Sequence, residues 1–195
     1  MKKFGIFGGT FNPPHIAHSI IAENIREQLG LDKIIFIPSG NPPLKNSIPA
    51  SCRMDMAQLA FSGNPYFEIS DIEIRDQEMK SYTVNTLIKL SEKYVNDNVK
   101  LYLLIGADNY ISLNKWKEPA RLFDYAEVVV LNRPDMNTGD QVSEFRYKVI
   151  FINTPLLEIS SSMIRERVMN KLSVKYLTDE KVEEYILKNG LYKNP

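Results

Sequence analysis

The sequence predicts an α/β fold: a Rossmann-like, doubly wound parallel sheet with a small C-terminal helical segment. Short apolar runs of strand length alternate with segments whose apolar residues recur at helical spacing. Most of these runs are apolar at successive positions, as expected of parallel strands that are buried on both faces. With 195 residues, of which 44% are hydrophobic, the chain is long enough for one domain with a full core.

The first third of the chain shows both patterns. Phe4 to Phe7 is an apolar run typical of a buried strand. The helix that begins at Ile16 is expected to end at Leu29, because Gly30 can adopt the left-handed backbone that closes a helix. Lys33 to Pro38 is again continuous and apolar, and predicts the second strand.

The middle of the chain adds two helices and one strand of a different kind. Cys52 to Phe61 has helical spacing and is followed by Gly63, which favours a stop. Phe67 to Ile74 alternates in polarity, which predicts a half-exposed strand. Thr83 to Tyr94 returns to the helical pattern.

Three further strands and two helices are predicted in the second half. Leu101 to Ile105, Ala126 to Leu131 and Val149 to Ile152 are apolar runs that predict buried strands. The segment from Asp135 to Ser143 is expected to be a mobile loop. The closing helices are predicted at Ser161 to Met169 and at Asp179 to Lys188, the second with Thr178 as N-cap and Gly190 after its last turn.

Charge and cysteine content exclude several classes of protein. The 24 basic residues balance 24 acidic ones, so the chain has no general basic field for nucleic acid. The single cysteine, Cys52, excludes an internal disulfide, and the apolar start is broken by glycines too early for a signal peptide. No run approaches the length of a membrane span. We therefore expect a cytoplasmic protein, and a homo-oligomer is compatible with the sequence.

The turn after the first strand is the most informative part of the sequence. Gly8, Gly9 and Thr10 lead through two prolines into the first helix, where His15 and His18 lie three residues apart. Glycines let a ligand approach the backbone, and a helix start offers free N–H groups to a phosphate. Both histidines of the chain fall in this one turn, which favours a shared function. A zinc site is disfavoured, because only one cysteine and no further histidine exist.

A second phosphate-binding pattern lies near the C-terminus, in Ser160-Ser161-Ser162-Met163-Ile164-Arg165. Serine hydroxyls at a helix start, together with free N–H groups, favour an anion. Arg165, near the end of the first turn, can bind a phosphate through two hydrogen bonds. Because ligands of open parallel sheets bind beyond the carboxyl ends of the strands, we expect both patterns to meet at one edge.

These motifs resemble those of the nucleotidylyltransferase superfamily, and most closely the bacterial nicotinate-nucleotide adenylyltransferases. The resemblance runs over essentially the whole chain, and the segments that carry it are Gly8 to His15, Asn41 to Lys45, Ser81 to Leu87, Ile105 to Trp116, Asn132 to Pro134, Ile159 to Arg165, Tyr185-Ile186 and Leu191-Tyr192. The resemblance implies a single nucleotidylyltransferase domain over residues 1–195, with residues 161–195 forming the C-terminal helices. It also implies adenylyl transfer from ATP to nicotinate mononucleotide in NAD biosynthesis, giving deamido-NAD and pyrophosphate.

The resemblance further implies roles for individual residues. His15 and His18 would be catalytic, acting on the ATP phosphates. The implied ATP-binding residues are Gly8, Gly9, Thr10, Gly106, Asp108, Ser161, Ser162 and Arg165. The implied acceptor-binding residues are Lys45, Tyr82, Thr83, Trp116 and Arg133. Mg²⁺ is expected to bind mainly through the ATP phosphates, without metal ligands from the protein.

Three residues depart from the family pattern. Ala17 replaces a glycine between the histidines, Leu44 stands where the family often has a histidine, and Asn85 replaces a frequent aspartate. Trp116 is also compatible with an ordinary core position.

Three other functions remain as alternatives. A pantetheine-phosphate adenylyltransferase shares the histidine and serine motifs, but lacks the match at Ser81-Tyr82-Thr83 and Trp116. A non-catalytic nucleotide sensor is disfavoured by the presence of both histidines and Arg165. An RNA-binding synthetase-like domain is disfavoured by the short chain and the balanced charge.

Overall fold

The computed structural model describes residues 1–41, 47–75, 80–132 and 144–193. Within these ranges the six strands are β1 (Lys2–Gly9), β2 (Lys33–Pro38), β3 (Phe67–Ile69), β4 (Val99–Gly106), β5 (Glu127–Asn132) and β6 (Val149–Asn153). They form one sheet in the order β3-β2-β1-β4-β5-β6, and every neighbouring pair is parallel. The direction of the strand order therefore reverses between β1 and β4, as in a doubly wound sheet.

Seven α-helices lie in the same ranges: α1 (Ile16–Leu29), α2 (Ala50–Phe61), α3 (Thr83–Lys93), α4 (Ala107–Ile111), α5 (Leu122–Tyr125), α6 (Ser161–Met169) and α7 (Glu180–Lys188). Short 3₁₀ turns occupy Leu113–Lys115, Pro119–Arg121 and Arg146–Lys148. None of the helices in the described ranges has both the length and the apolar character needed to cross a membrane.

Apolar side chains fill the space on both faces of the sheet. On one face Ile25 of α1 and Phe61 of α2 pack with Phe36 of β2. On the other face Leu87 of α3 packs against Ile6 of β1. A parallel sheet with apolar cores on both sides is the arrangement that the continuous apolar strands predict, so the predicted fold class is confirmed.

The closing helices pack in a third apolar cluster beside α2. Ile164 of α6 and Val182 of α7 are fully buried there, together with Met56 of α2. The C-terminal helical segment is therefore attached to the body of the protein through α2.

The predicted helix ends are mostly confirmed. Gly30 and Gly190 both have left-handed backbones, with φ of 59° and 61°, directly after the last turns of α1 and α7. The prediction of Thr178 as the N-cap of α7 was wrong, because the carboxylate of Asp179 accepts the Lys181 N–H at 2.9 Å instead. The Thr178 hydroxyl is buried and donates to the carbonyl of Pro14 at 2.8 Å.

The strand predicted over Phe67 to Ile74 was largely wrong, because β3 ends at Ile69. Among the strands of the described ranges, β3 lies at the edge of the sheet and pairs with β2. Beyond it the chain forms a turn, in which the Ile74 N–H donates to the Asp71 carbonyl at 2.8 Å. The alternating apolar residue Ile72 packs against the core from this turn rather than from a strand.

Two short helices were not predicted, and one predicted feature cannot be compared. With five and four residues, α4 and α5 are too short to produce a helical period in the sequence. The predicted loop from Asp135 to Ser143 lies outside the described residues.

Candidate active site

The site lies at the carboxyl ends of β1 and β4, where the strand order reverses. Gly8 lies one residue before the end of β1, and Gly106 is the last residue of β4. A methyl group added at either glycine would meet no other atom within 4 Å, so open space lies beside both backbones. The reversal point of such a sheet is where ligands bind in open α/β folds.

Gly9 has a different role from Gly8. A methyl group at Gly9 would come 2.9 Å from the ring of Phe11. Phe11 has a left-handed backbone, with φ of 49°, and its ring packs edge-on against Phe36 and Phe61. Because Gly9 has no side chain, the Phe11 ring can pack directly beneath the loop.

His15 and His18 lie together at the start of α1. Their rings stack with centroids 3.7 Å apart and planes inclined by 28°. His15 precedes the first helical residue, and its main-chain N–H donates to Nδ1 of His18 at 3.1 Å. Nδ1 of His15 is buried without a hydrogen-bond partner among the described residues.

These contacts determine the protonation of His18. Because a main-chain N–H points at Nδ1, the neutral ring carries its proton on Nε2 and is a donor there. Burial lowers the pKa of His15 to about 4, and burial together with the neighbouring His15 lowers the pKa of His18 well below its usual value. Both rings are therefore neutral near pH 7 in the free protein.

The loop between β1 and α1 is held by groups from the C-terminal helices. The Ser161 hydroxyl donates to the Pro13 carbonyl at 2.7 Å. The Arg165 guanidinium donates to the Asn12 carbonyl at 2.8 Å and to the Ser162 hydroxyl at 3.1 Å. The structure thus brings the two predicted phosphate-binding patterns together, although they lie at opposite ends of the chain.

The start of α6 keeps free donors beside this loop. Ser160 is the N-cap, and its hydroxyl accepts the Met163 N–H at 3.1 Å. Arg165 uses two of its nitrogens on protein oxygens, and a guanidinium carries five N–H donors. The side chain can therefore hold the loop and still donate to an anion.

Two of the predicted acceptor residues, Tyr82 and Thr83, form the start of α3. Tyr82 is the N-cap residue of α3 and Thr83 is its first residue. The ammonium group of Lys117 lies 4.9 Å from the centre of the Tyr82 ring, so the segment that carries Trp116 reaches this helix start. Trp116 is half-buried and packs against the core that covers α3. Its position is compatible both with a stacking platform and with a core residue.

The other predicted residues are placed as follows. Thr10 accepts a hydrogen bond on its carbonyl, and Asp108 is exposed in the first turn of α4. Lys45 and Arg133 lie outside the described residues.

Arg53, a buried cation under the site, was not among the predicted residues. Its side chain is 1% exposed and donates to the carbonyls of Thr10 at 3.0 Å, Gly40 at 3.0 Å and Ile48 at 3.2 Å. It therefore links the loop after β1 to the turn after β2. Arg53 lies in the first turn of α2, on the same face as the buried residues Met56, Ala57 and Phe61. An arginine at a helix start usually lies at the surface, so only its spacing of three and four residues from Met56 and Ala57 could have indicated that it faces inward.

Ser81 and Glu73 were also missed. The Ser81 hydroxyl accepts the N–H groups of Gly40 and Asn41, each at 3.1 Å. Burial raises the pKa of Glu73, whose carboxyl accepts the Thr86 hydroxyl at 2.6 Å. A side chain on Gly40 would lie 2.0 Å from the Glu73 carbonyl, so the turn after β2 packs tightly against the segment before α3.

No group of three or more His, Cys, Asp or Glu side chains in the described parts of the chain is arranged to hold a metal ion. The groups assembled at the loop are imidazoles, hydroxyls and a guanidinium, which are donors suited to an anion rather than ligands for a hard cation.

Comparison with known proteins agrees with this geometry. Residues 6–167 match the model of the cytidylyltransferase-like family. The nicotinate-nucleotide adenylyltransferase of Bacillus subtilis (strain 168) is 38% identical over 197 residues, which cover 100% of both chains. A probable nicotinate-nucleotide adenylyltransferase of Dictyoglomus thermophilum is 41% identical, over 97% of this chain and 99% of the relative.

A solved structure has the same fold. The nicotinic acid mononucleotide adenylyltransferase of Plasmodium falciparum, complexed with NaAD, superposes with a TM-score of 0.83. It covers 98% of each chain at 20% identity, which is evidence for the fold alone.

Proposed function

The chain belongs to the cytidylyltransferase-like family and, within it, to the nicotinate-nucleotide adenylyltransferases, and from that membership we propose how its residues divide the reaction. The protein transfers the adenylyl group of ATP to nicotinate mononucleotide, which gives nicotinate adenine dinucleotide and pyrophosphate. The observation that carries the assignment of roles is the stacked pair His15–His18, beside the loop that Ser161 and Arg165 hold.

The chemistry needs positioning and charge stabilisation rather than a protein nucleophile. An oxygen of the acceptor phosphate attacks the α-phosphorus of ATP, and the bond from that phosphorus to the bridging oxygen of pyrophosphate breaks. The attacking phosphate is already ionised at neutral pH, so no general base is required. We assign to the protein the in-line alignment of the two phosphates and the stabilisation of the transferring group.

In this assignment the histidines act as neutral donors. Nε2–H of His18 donates to an oxygen of the transferring phosphate, because its Nδ1 is already occupied by the His15 main chain. His15 adds a second imidazole on the same side. Gly8 and Gly106 let the nucleotide approach the two backbones, and Thr10 and Asp108 border the same strand ends.

We assign the leaving pyrophosphate to the start of α6. The main-chain N–H groups of Ser161 and Ser162, the Ser162 hydroxyl and the remaining donors of Arg165 form this anion site, while the Ser161 hydroxyl donates to the Pro13 carbonyl and holds the loop beside it. Neutralising the β- and γ-phosphates there makes pyrophosphate a better leaving group.

We propose that Mg²⁺ enters with ATP, held by the triphosphate. The donor set at the loop suits phosphate oxygens, which fits a metal that is bound through the substrate. When bound, the metal supplies additional neutralisation of phosphate charge.

The acceptor is proposed to bind between Trp116 and the start of α3. A nicotinate ring stacked on the indole leaves its carboxylate near the main-chain N–H groups of Tyr82 and Thr83. Donors alone disfavour a carboxamide, whose NH₂ would find no acceptor. Lys45 and Arg133 are proposed to neutralise the acceptor phosphate.

We also propose a cytoplasmic location, which the single cysteine supports.

The test is an acceptor panel. The protein is incubated with ATP, Mg²⁺ and, separately, nicotinate mononucleotide, nicotinamide mononucleotide and phosphopantetheine, and pyrophosphate release is measured. We expect turnover with nicotinate mononucleotide far above the other two. Preferential turnover of phosphopantetheine would refute the assignment, and equal turnover of the two mononucleotides would refute the proposed carboxylate site.

A further inference from the structure

In the loop that precedes the histidines, the main-chain carbonyls are hydrogen-bonded in an unusual way. Residues 12–14 are Asn-Pro-Pro, and a proline has no N–H to donate. The carbonyls of Asn12, Pro13 and Pro14 each accept a hydrogen bond from the C-terminal part of the chain, at 2.8, 2.7 and 2.8 Å. This loop is therefore held from outside rather than by its own hydrogen bonds.

A further contact from the C-terminal part of the chain is made to the side chain of Asn12 and not to its main chain. The hydroxyl of Tyr192 donates to Oδ1 of Asn12 at 2.7 Å. Asn12 is 7% exposed, so its amide is buried and needs this partner. Burial raises the pKa of Tyr192, so the hydroxyl keeps its proton and remains a donor at neutral pH.

Both ends of this hydrogen bond lie next to strained backbone. Phe11, which precedes Asn12, has φ of 49°, and Tyr192 itself has φ of 59°. A left-handed backbone at a bulky residue is costly and persists only where its surroundings hold it. The closing tail is therefore held in this position against its local preference, and the contact with Asn12 is part of what holds it.

The position of Asn12 sets the position of the imidazoles. Only two prolines separate it from His15, and the main chain of His15 in turn orients the His18 ring. We therefore expect a shift at Asn12 to reach both rings, and misplaced donors lose much of their effect on a transition state.

We propose that Tyr192 is a positioning residue of the reaction, whose hydroxyl aligns Asn12 and through it the histidine pair. The inference rests on the proposed function for its kinetic consequence, whereas its structural part concerns the free protein. The competing explanation is that Tyr192 only fills the apolar cluster of α2, α6 and α7, against which its ring packs.

Tyr185 provides a matched control. It lies in the same closing segment, packs against the same apolar cluster, and its hydroxyl donates to the carboxylate of Asp55 at 2.8 Å. Its hydrogen bond does not involve the loop of residues 12–14. Tyr185→Phe and Tyr192→Phe thus each remove one hydroxyl that donates to a side-chain oxygen, but only the second change reaches the loop.

The experiment compares the two variants with the unchanged protein in three measurements. These are the melting temperature, kcat with both KM values from pyrophosphate release, and the imidazole C–H signals in NMR spectra of the ligand-free protein. The chain contains only two histidines, so both signals report on the site.

We expect similar small losses of melting temperature in both variants. Tyr192→Phe should lower kcat about tenfold, the size of effect that one lost hydrogen bond can have, with the acceptor KM little changed. It should also shift the His15 signal, whereas Tyr185→Phe should leave kcat and both imidazole signals unchanged.

Equal kcat and equal imidazole signals in the two variants would overturn the proposal and make Tyr192 a packing residue. If the unchanged protein transfers no adenylyl group, the proposed function fails, and the NMR comparison still decides whether Tyr192 positions the histidines.

Discussion

At the start of α1 the two imidazoles differ in what their nitrogens already do. His18 has Nδ1 engaged by the His15 main chain and Nε2–H free to act. Its ring also packs among aromatic side chains, with centroids 5.1 Å from Phe11 and 6.0 Å from Phe7. In His18, Nδ1 therefore holds the ring in place and Nε2 is the nitrogen available for the reaction. Substitutions can remove one of these roles and keep the other.

Replacing His18 with asparagine or glutamine makes that separation. Asparagine keeps an acceptor near Nδ1 and removes the donor at Nε2, whereas glutamine places an amide N–H near Nε2. We expect His18→Asn to lower kcat by about 10²–10³, the loss seen when one preorganised donor is removed, with a smaller change in acceptor KM. His18→Gln should retain more activity than His18→Asn, as measured by steady-state pyrophosphate release. The reverse order would show that the Nδ1 contact matters more than the donor.

Trp116 has two explanations, a stacking platform or a core residue, which predict different measurements. It is half-buried and contacts the core, yet the segment that bears it reaches the start of α3. As the only tryptophan, it gives the whole indole fluorescence signal.

If Trp116 stacks on the acceptor, its emission changes on addition of nicotinate mononucleotide. Trp116→Ala should then raise the acceptor KM by roughly 5- to 150-fold, because stacking on an aromatic ring is worth about 1–3 kcal/mol per base. The ATP KM should stay nearly constant. Unchanged emission, together with a mutant that only loses melting temperature, would identify Trp116 as a core residue.

Among the elements, α6 does two things at once. Its first turn faces the histidine loop with free N–H groups, and Ser161 and Arg165 also hydrogen-bond to the carbonyls of that loop. The helix therefore both binds the loop and offers an anion site.

We propose that α6 and α7 belong to the same domain as the sheet, because they share their apolar cluster with Met56 of α2 and also contact the loop.

Arg165→Lys tests the anion site of α6. Lysine keeps the positive charge but has one nitrogen, so it cannot reach the Asn12 carbonyl, Ser162 and a phosphate together. We expect the ATP KM to rise and kcat to fall, by about tenfold in combination, with the acceptor KM within about twofold. Measuring both KM values over a matrix of substrate concentrations checks this. An effect confined to the acceptor would mean that α6 binds the other substrate.

At the scale of the whole molecule, the buried imidazoles make folding depend on pH. The pKa of His15 is about 4 in the folded protein, and that of His18 is also well below the value of about 6.5 that both have when unfolded. Below pH 6.5 the unfolded chain therefore binds protons that the folded chain does not. The free energy of unfolding falls as the pH decreases from about 6.5 towards 4, by at most about 1.4 kcal/mol per pH unit for each histidine.

Urea unfolding at pH 7 and pH 5 measures this loss. A double variant, His15→Gln with His18→Gln, contains no histidine and should lose most of the difference between the two pH values. The raised pKa of Glu73 acts in the opposite direction, since its protonation in the folded state favours folding as the pH decreases towards 4.5. A double variant that keeps the full pH dependence would show that other groups cause it.

The local sequence was sufficient for the fold class, and it indicated residues that the structure brings together at the candidate site. Continuous apolar strands are typical of strands buried on both faces, so their alternation with helical segments already indicates a parallel sheet covered by helices on both sides. The predicted residues His15, His18, Ser161 and Arg165 are recognisable because their types and spacing are tied to helix starts and glycine turns. Such patterns depend on neighbours a few residues away, which the sequence displays directly.

The tertiary structure decided which distant groups hold those residues in place. Arg53 is buried under three loops, Thr178 donates to Pro14 instead of capping α7, and Tyr192 holds Asn12. Each of these contacts joins segments that are far apart in the chain or belong to different elements. Whether a polar side chain faces water or a particular carbonyl depends on how the helices dock on the sheet. That docking is a property of the packed core, and no local pattern of residues records it.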